Sequence, residues 1–425
     1  MEYIRSKNIV LLICDTLKLI DPRPIEHGMR TAYLVYKMLR KKGGYENFEL
    51  ADFAFLSCLH DVGAYKSNKI FEKFDYEFRN YMPHSIYGFL FLKYMTPLSD
   101  KAKMVLYHRV ACSQSEDVEF DYKFETRVLT LAEAVDNYHY AMGESFDHTI
   151  FRRQEGIIYT REALDLLDEI MKEGDTLERL RNGVYLDELA DLFDSILFTN
   201  EDKRAYMEML MYSLGLKSEG LVVDAAVTLA VTEELATKIG MQDEDKEVLY
   251  YAALVHDLGM LTIPREILDV RRKLTKDERM IVRSHVDATE NLIRNKVAPE
   301  IVKVAVAHHE RMDGSGYPKG LKEHQMTMTQ SILQVADTVT ALTDERVHRP
   351  PLTKEKIIDV LKEETRDGRF KSRVVSNFID SYDEIMEVVK ERTDAILENY
   401  KKLQANYEAV SKMLTKETKA SEETE

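Results

Sequence analysis

Apolar positions recur every three or four residues along most of the chain, a spacing that predicts helices. Ala32, Val35, Met38 and Leu39 share one stripe of an amphipathic segment read from Glu2 to about Leu39, with His27 just ahead of the stripe and Gly43-Gly44 ending it. A helix from Leu50 to about Leu59 leads into His60-Asp61-Val62-Gly63. Helical spacing with charged outer faces returns from about Thr160 to Leu214, with a boundary near Thr199-Asn200-Glu201-Asp202. In the second half a helix is expected to follow Asp224, carry Val227, Val231 and Leu235, and end at Gly240. Only Val118 to Phe124 alternates with period two, which reads as a short strand or an extended lid. In the tail, from about Ser381, the positions Val389, Ile396, Tyr400, Leu403, Tyr407, Val410 and Leu414 are spaced like a coiled-coil seam. Two readings fit that stripe: a homodimer joined through the C-terminal helix, or a single helix packed on its own domain.

A chain of 425 residues is too long for one compact unit and long enough for two or three domains. Its 44% hydrophobic and 32% charged residues suit a globular protein, and no apolar run approaches the roughly 18 to 20 residues that cross a bilayer. The run Ile9 to Cys14 is too short and lacks the basic start of a secretory signal, so a cytoplasmic protein is expected. Cys14, Cys58 and Cys112 are far apart and odd in number, which leaves any metal to nitrogen and oxygen ligands. A net charge of −16 argues against a nucleic-acid polymer as partner. An anionic substrate would need local cations, and bound metals are the natural candidates.

Those ligands are present twice. The first half offers His27, His60, Asp61, His84, His108 and Asp136; the second offers Asp224, His256, Asp257, His285, His308, His309 and Asp337. Asp224 follows His27 by 197 positions and His256 follows His60 by 196. His285, His309 and Asp337 follow His84, His108 and Asp136 by 201 each. Such regularity points to a duplicated helical domain with an insertion of about five residues between the second and third stations. Imidazoles and carboxylates on helices suit hard-to-borderline divalent ions. Two such ions can share a carboxylate and a water, whose lowered pKa makes a hydroxide able to attack phosphorus. The most specific stretch is His308-His309-Glu310-Arg311-Met312-Asp313-Gly314-Ser315-Gly316-Tyr317-Pro318, where adjacent imidazoles run into a loop that cannot continue as helix.

That stretch, with His256-Asp257-Leu258-Gly259, Ile263-Pro264, Leu274-Thr275, His285 and Val335-Ala336-Asp337, resembles the HD-GYP family of the HD phosphohydrolase superfamily over roughly residues 215 to 376. The resemblance implies an all-α fold: two tandem helical HD-type domains plus a long C-terminal helix, divided at 1–200, 201–376 and 377–425. It implies a metal-dependent phosphodiesterase with two or more iron or manganese ions per site, hydrolysing cyclic di-GMP or a related cyclic dinucleotide. By position, Asp224, His256, Asp257, His285, His308, His309 and Asp337 would be ligands, with Asp257 shared and His256 and Asp257 at the chemistry. Gly316, Tyr317 and Pro318 would shape the nucleotide side, and Arg346 and Arg349 would face phosphate. The pattern is broken twice, by Asp224 where the family has His and by Met260 where it has Lys. The first half resembles an HD domain without the Gly-Tyr-Pro loop, with His27, His60, Asp61, His84, His108 and Asp136 as its metal set and Tyr107 in place of one of the paired His. Two alternatives follow: a catalytically degenerate nucleotide-binding signalling protein, and a phosphohydrolase acting through the N-terminal site.

Overall fold

A computed structural model of the chain describes residues 2–66, 82–268, 270, 272–343 and 352–420. The described residues are helical throughout, with three isolated bridges and no strand. In order, the helices are α1 (Ser6–Lys18), α2 (Pro22–Lys42), α3 (Asn47–Cys58), α4 (Met82–Met95), α5 (Ala102–Tyr107), α6 (Lys123–Met142), α7 (Arg161–Lys172), α8 (Thr176–Asn182), α9 (Val184–Phe193) and α10 (Asn200–Leu214). There follow α11 (Glu219–Ile239), α12 (Asp243–Val255), α13 (Arg265–Leu268), α14 (Lys276–Arg283), α15 (His285–Ile293), α16 (Pro299–Ala305), α17 (Met328–Thr343), α18 (Lys354–Arg366), α19 (Ser372–Asp380) and α20 (Tyr382–Ala420). None is long and apolar enough to cross a membrane.

Two compact units result, one of residues 1–20 with 207–398 and the other of residues 21–206 with 399–425. They are called here the C-terminal and N-terminal units. In the N-terminal unit α2 packs against α3 and α6, and α4 against α5. In the C-terminal unit α11 packs against α12 and α17, and α15 against α16. The same arrangement therefore occurs twice, and it is built by the same device: a long buried helix whose apolar stripe seats two neighbours. Along α2 the stripe includes Ala32, Val35, Met38 and Leu39, and along α11 Val227, Val231 and Leu235, all buried.

Several local readings of the sequence are corrected by the structure. The segment from Glu2 to Leu39 is two helices, because Asp21 caps a new start by accepting from Arg23 N at 2.9 Å and Pro22 fits the first turn. His27 thus lies inside α2, and Asp224 inside α11, which begins at Glu219. Thr199 to Asp202 is a helix start in which each residue's side chain bonds the other's backbone. Val118 to Phe124 is neither strand nor extended: it turns into α6 through Tyr122 at a φ of 61°, and Phe120 stacks on Tyr107 at 4.6 Å.

The tail is one helix, α20. Val389, Ile396, Tyr400, Leu403 and Leu414 are buried within the single chain, so the apolar stripe is consumed intramolecularly. That removes the seam as an argument for a dimer.

Candidate metal centres

Each imidazole is aimed before any ligand arrives. His60, His108, His256, His285 and His308 each place Nδ1 within 2.6 to 2.8 Å of the carbonyl three residues earlier, on Ser57, Val105, Ala253, Val282 and Ala305 respectively. A carbonyl can only accept, so Nδ1 carries a proton and Nε2 is the ring nitrogen turned inward. They stand at or just past the C-terminal end of a helical segment, where the last carbonyls are short of helical donors.

In the N-terminal unit these nitrogens converge on Asp61. One group unites His27, His60, Asp61 and Glu133; a second unites Asp61, His84 and His108, with the donor atoms of each group within 4.8 Å of one another. Nε2 of His27, His60 and His108 is buried without a hydrogen-bond partner among the described residues. Burial pushes the His108 imidazole down to about 3 and lowers His60 as well, so both are neutral ligands near pH 7. Orphaned buried lone pairs around a shared carboxylate are costly as they stand and fit a divalent cation.

In the C-terminal unit one group is His285, His308 and His309, and the other His256, Asp257 and Asp337. Asp257 joins them: its Oδ2 lies 3.4 Å from His256 Nε2, and its Oδ1 3.2 Å from His285 Nε2 and 3.6 Å from His308 Nε2. The Nε2 atoms of His285 and His308 face each other at 3.1 Å. With both Nδ1 atoms bonded to carbonyls, one proton at most lies between these two Nε2 atoms, favoured by the Asp257 carboxylate, which outweighs burial and raises the His285 imidazole; a metal cation can take that proton's place. Burial lowers the basicity of His256, but the Asp257 carboxylate outweighs it and pushes His256 up to about 9. Burial raises Asp257, while the neighbouring His256 and His285 hold it well below the ordinary carboxylate range.

A glycine permits the close packing in each unit. A Cβ on Gly63 would collide with the His84 carbonyl oxygen, and one on Gly259 with that of His285. Thr289 locks the second junction, its hydroxyl accepting from Gly259 N at 2.9 Å and donating to the His256 carbonyl at 3.1 Å. The third residue after each His-Asp start is thus glycine because backbone from the next ligand's helix occupies the space of a side chain.

The loop after His309 is organised by Glu310, which the sequence did not single out. Glu310 is 1% exposed and accepts from Lys319 N at 2.7 Å and Leu321 N at 2.8 Å. Gly316 closes over it, with no room for a Cβ beside Arg311 N. Tyr317 donates its N–H to the His309 carbonyl at 3.1 Å, its ring lies 4.8 Å from that of His309, and the Arg283 guanidinium covers it at 4.6 Å. Gly316, Tyr317 and Pro318 are therefore fixed at the edge of the His285, His308 and His309 group. Replacing Glu310 with Gln should release the two amides partly, raising KM for substrate about tenfold while metal content stays constant. Steady-state kinetics with metal analysis of the same sample measure both.

Other sequence-derived positions fall differently. Asp136 lies outside the N-terminal groups; it accepts from Arg30 Nε at 2.8 Å and sits 2.6 Å from His27 Nδ1, orienting that ring. Glu133, one turn earlier on α6 and 5% exposed, faces the ligands instead. Asp224 is half-buried on α11 and belongs to no ligand group. Arg346 and Arg349 lie outside the described residues.

The repeat is also in a different register from the spacing of 201. The ring pairs His60–His108 at 5.3 Å and His84–His108 at 5.9 Å recur as His256–His308 at 4.9 Å and His285–His308 at 5.3 Å. His108 therefore corresponds to His308, and Arg109, not Tyr107, holds the place of the second paired His. Spacing alone could not resolve one residue when the two halves differ by insertions.

Residues 208–374 match the family model described as HD domain. Among its relatives, the 3'3'-cGAMP-specific phosphodiesterase 1 of Vibrio cholerae is 23% identical over 382 residues, covering 85% of this chain and 88% of that one. A cyclic di-GMP phosphodiesterase of Thermotoga maritima is 31% identical over 164 residues, 38% of this chain and 44% of that one. The chain thus spans less than half of the second relative and most of the first. The crystal structure of a cyclic GMP-AMP-specific phosphodiesterase from V. cholerae shares the fold with a TM-score of 0.54 at 16% identity, covering 90% of this chain and 98% of that one. HD domains are metal-dependent, and both units carry donor groups that fit this.

Proposed function

We propose that this protein is a metal-dependent phosphodiesterase that opens a cyclic dinucleotide, with its chemistry in the C-terminal unit. The observation that carries the reading is the convergence of the His285 and His308 Nε2 atoms, 3.1 Å apart, on the carboxylate of Asp257. His256, Asp257, His285, His308, His309 and Asp337 would hold the metals, and imidazole–carboxylate donors of this kind suit iron or manganese. Metals bound there would supply Lewis-acid polarisation of the phosphoryl group and a water of lowered pKa.

The chain's own residues do the rest. Asp257 and His256 fix the spacing of the two groups. Tyr317, held between His309 and Arg283, would wall the nucleotide side of the site, and Gly316 and Pro318 would set its position. The relatives named for cyclic di-GMP and for 3'3'-cGAMP support the substrate class, and the cytoplasm is where such nucleotides would be met.

The test uses the full chain loaded with manganese or ferrous iron under reducing conditions and given cyclic di-GMP or 3'3'-cGAMP. A linear dinucleotide should form, disappear on chelation and return on re-addition of metal. Full metal loading without turnover of either substrate would overturn the reading.

A second reading, binding without turnover, is favoured by Met260, which offers no charge or donor where the resemblance expects Lys. Met260→Lys should then raise kcat by about tenfold or more from a low base. An unchanged rate in an active enzyme shows instead that this chain works without that cation.

A further inference from the structure

The N-terminal site departs from its counterpart at two positions that change together. Arg109 stands where the C-terminal unit has His309, and Glu133, one turn before Asp136, stands where that unit has Gln334 one turn before Asp337. The Arg109 guanidinium is seated on the Glu133 carboxylate. The same Nη2 lies 3.7 Å from Asp61 Oδ1, the oxygen that is 3.6 Å from His84 Nε2. Asp61 and Glu133 are both buried, at 4% and 5% exposure. Gln334 makes no such pair; its amide donates to the carbonyls of Glu310 at 2.5 Å and Arg369 at 3.2 Å.

We propose that the Arg109 guanidinium is a built-in cation that replaces one metal ion of the N-terminal unit. The Asp61, His84 and His108 group then takes no divalent ion, and the unit holds a single ion through His27, His60, Asp61 and Glu133. The physical reason is charge at close quarters. A divalent ion among Asp61, His84 and His108 would stand beside a fixed guanidinium in a site largely closed to water, where like charges repel strongly. The Asp61 oxygen on the His84 side, Oδ1, already faces Arg109, whereas Oδ2 faces His60 Nε2 at 3.7 Å and is left for the retained ion. In the C-terminal unit His309 brings a ring nitrogen able to bind a metal, where Arg109 brings only N–H donors and a fixed charge. The two units would therefore do metal chemistry with different ion counts despite nearly the same donors. This goes beyond the activity proposed above and does not rest on its substrate.

The experiment is metal content per chain, measured by plasma mass spectrometry on the full chain after loading with manganese and desalting, with far-UV circular dichroism to establish folding. Arg109→His should raise the content by one ion per chain, and so should Arg109→Gln, which removes the charge while keeping polarity and serves if the first variant fails to fold. His309→Arg combined with Gln334→Glu should lower it by one. His60→Ala should remove one ion. Unchanged content in the folded Arg109 variants, or loss of two ions in His60→Ala, would overturn the proposal. Manganese-induced stabilisation against heat, larger in Arg109→Gln than in the native chain, gives a readout independent of activity.

Discussion

Asp257→Asn lowers kcat/KM for a cyclic dinucleotide by about a thousandfold or more and reduces the metal content of the C-terminal unit. Asp257 is the carboxylate within 3.2 to 3.6 Å of three imidazole Nε2 atoms, and it links the His256, Asp257 and Asp337 group to the His285, His308 and His309 group. Asn keeps the shape but brings a neutral amide, whose NH2 turns toward one side of the site and offers that side no lone pair. The two donor groups lose their shared anion at once. The lost negative charge matters further because the site is crowded with imidazoles, four of them with ring centroids 4.1 to 5.3 Å apart. Kinetics and metal analysis on one preparation provide the check. An Asp257→Asn enzyme with wild-type kcat/KM would remove this site from the chemistry.

Gly259→Ala should abolish activity and cost about 3 kcal/mol of stability, read as a lower denaturant midpoint of the metal-free chain. The added methyl would meet backbone on α15, the His285 carbonyl and Thr289 N, the latter at 2.8 Å. Backbone cannot rotate aside as a side-chain tip can, so α15 must move and carry His285 out of line with His308. The Thr289 bridge between Gly259 N and the His256 carbonyl would be strained by the same shift. Gly63→Ala makes the equivalent collision in the N-terminal unit, with the His84 carbonyl and with Gly88 N at 2.6 Å. It should be equally destabilising yet leave cyclic-dinucleotide hydrolysis intact, provided that its loss of structure stays within that unit. The two variants together assign the chemistry to one unit. Loss of activity in Gly63→Ala alone, with Gly259→Ala active, would place the phosphodiester chemistry in the N-terminal unit.

Much of this was legible in the chain. Helical spacing on Ala32, Val35, Met38 and Leu39 identified a core helix because burial in an all-α protein imposes that period directly on sequence. His60-Asp61 and His256-Asp257 were recognisable because they end helices before a glycine, and the glycine is demanded by the crossing of the next helix. Asp337 and the imidazoles His256, His285, His308 and His309 were brought together as the spacing suggested. The residues that escaped notice were those whose sequence context is bland. Glu133 was not singled out, yet it faces the His27, His60 and Asp61 donors, whereas Asp136, expected as a ligand, sits behind His27. Glu310 reads as helix-end punctuation, yet its carboxylate holds the amides of a loop nine and eleven residues later.

By itself the sequence determined that the protein is helical, that its pattern occurs twice and that both copies carry imidazole and carboxylate donors, since periodicity and residue chemistry are local properties. Only the tertiary structure decided which neighbour on a helix faces a site. A shift of one residue exchanges Arg109 for Tyr107 as the counterpart of His309, and three residues on a helix leave a net turn of about 60°, enough to aim Glu133 at the donors and leave Asp136 behind His27. That rotation is fixed by packing against other helices, and no local pattern in the chain records it.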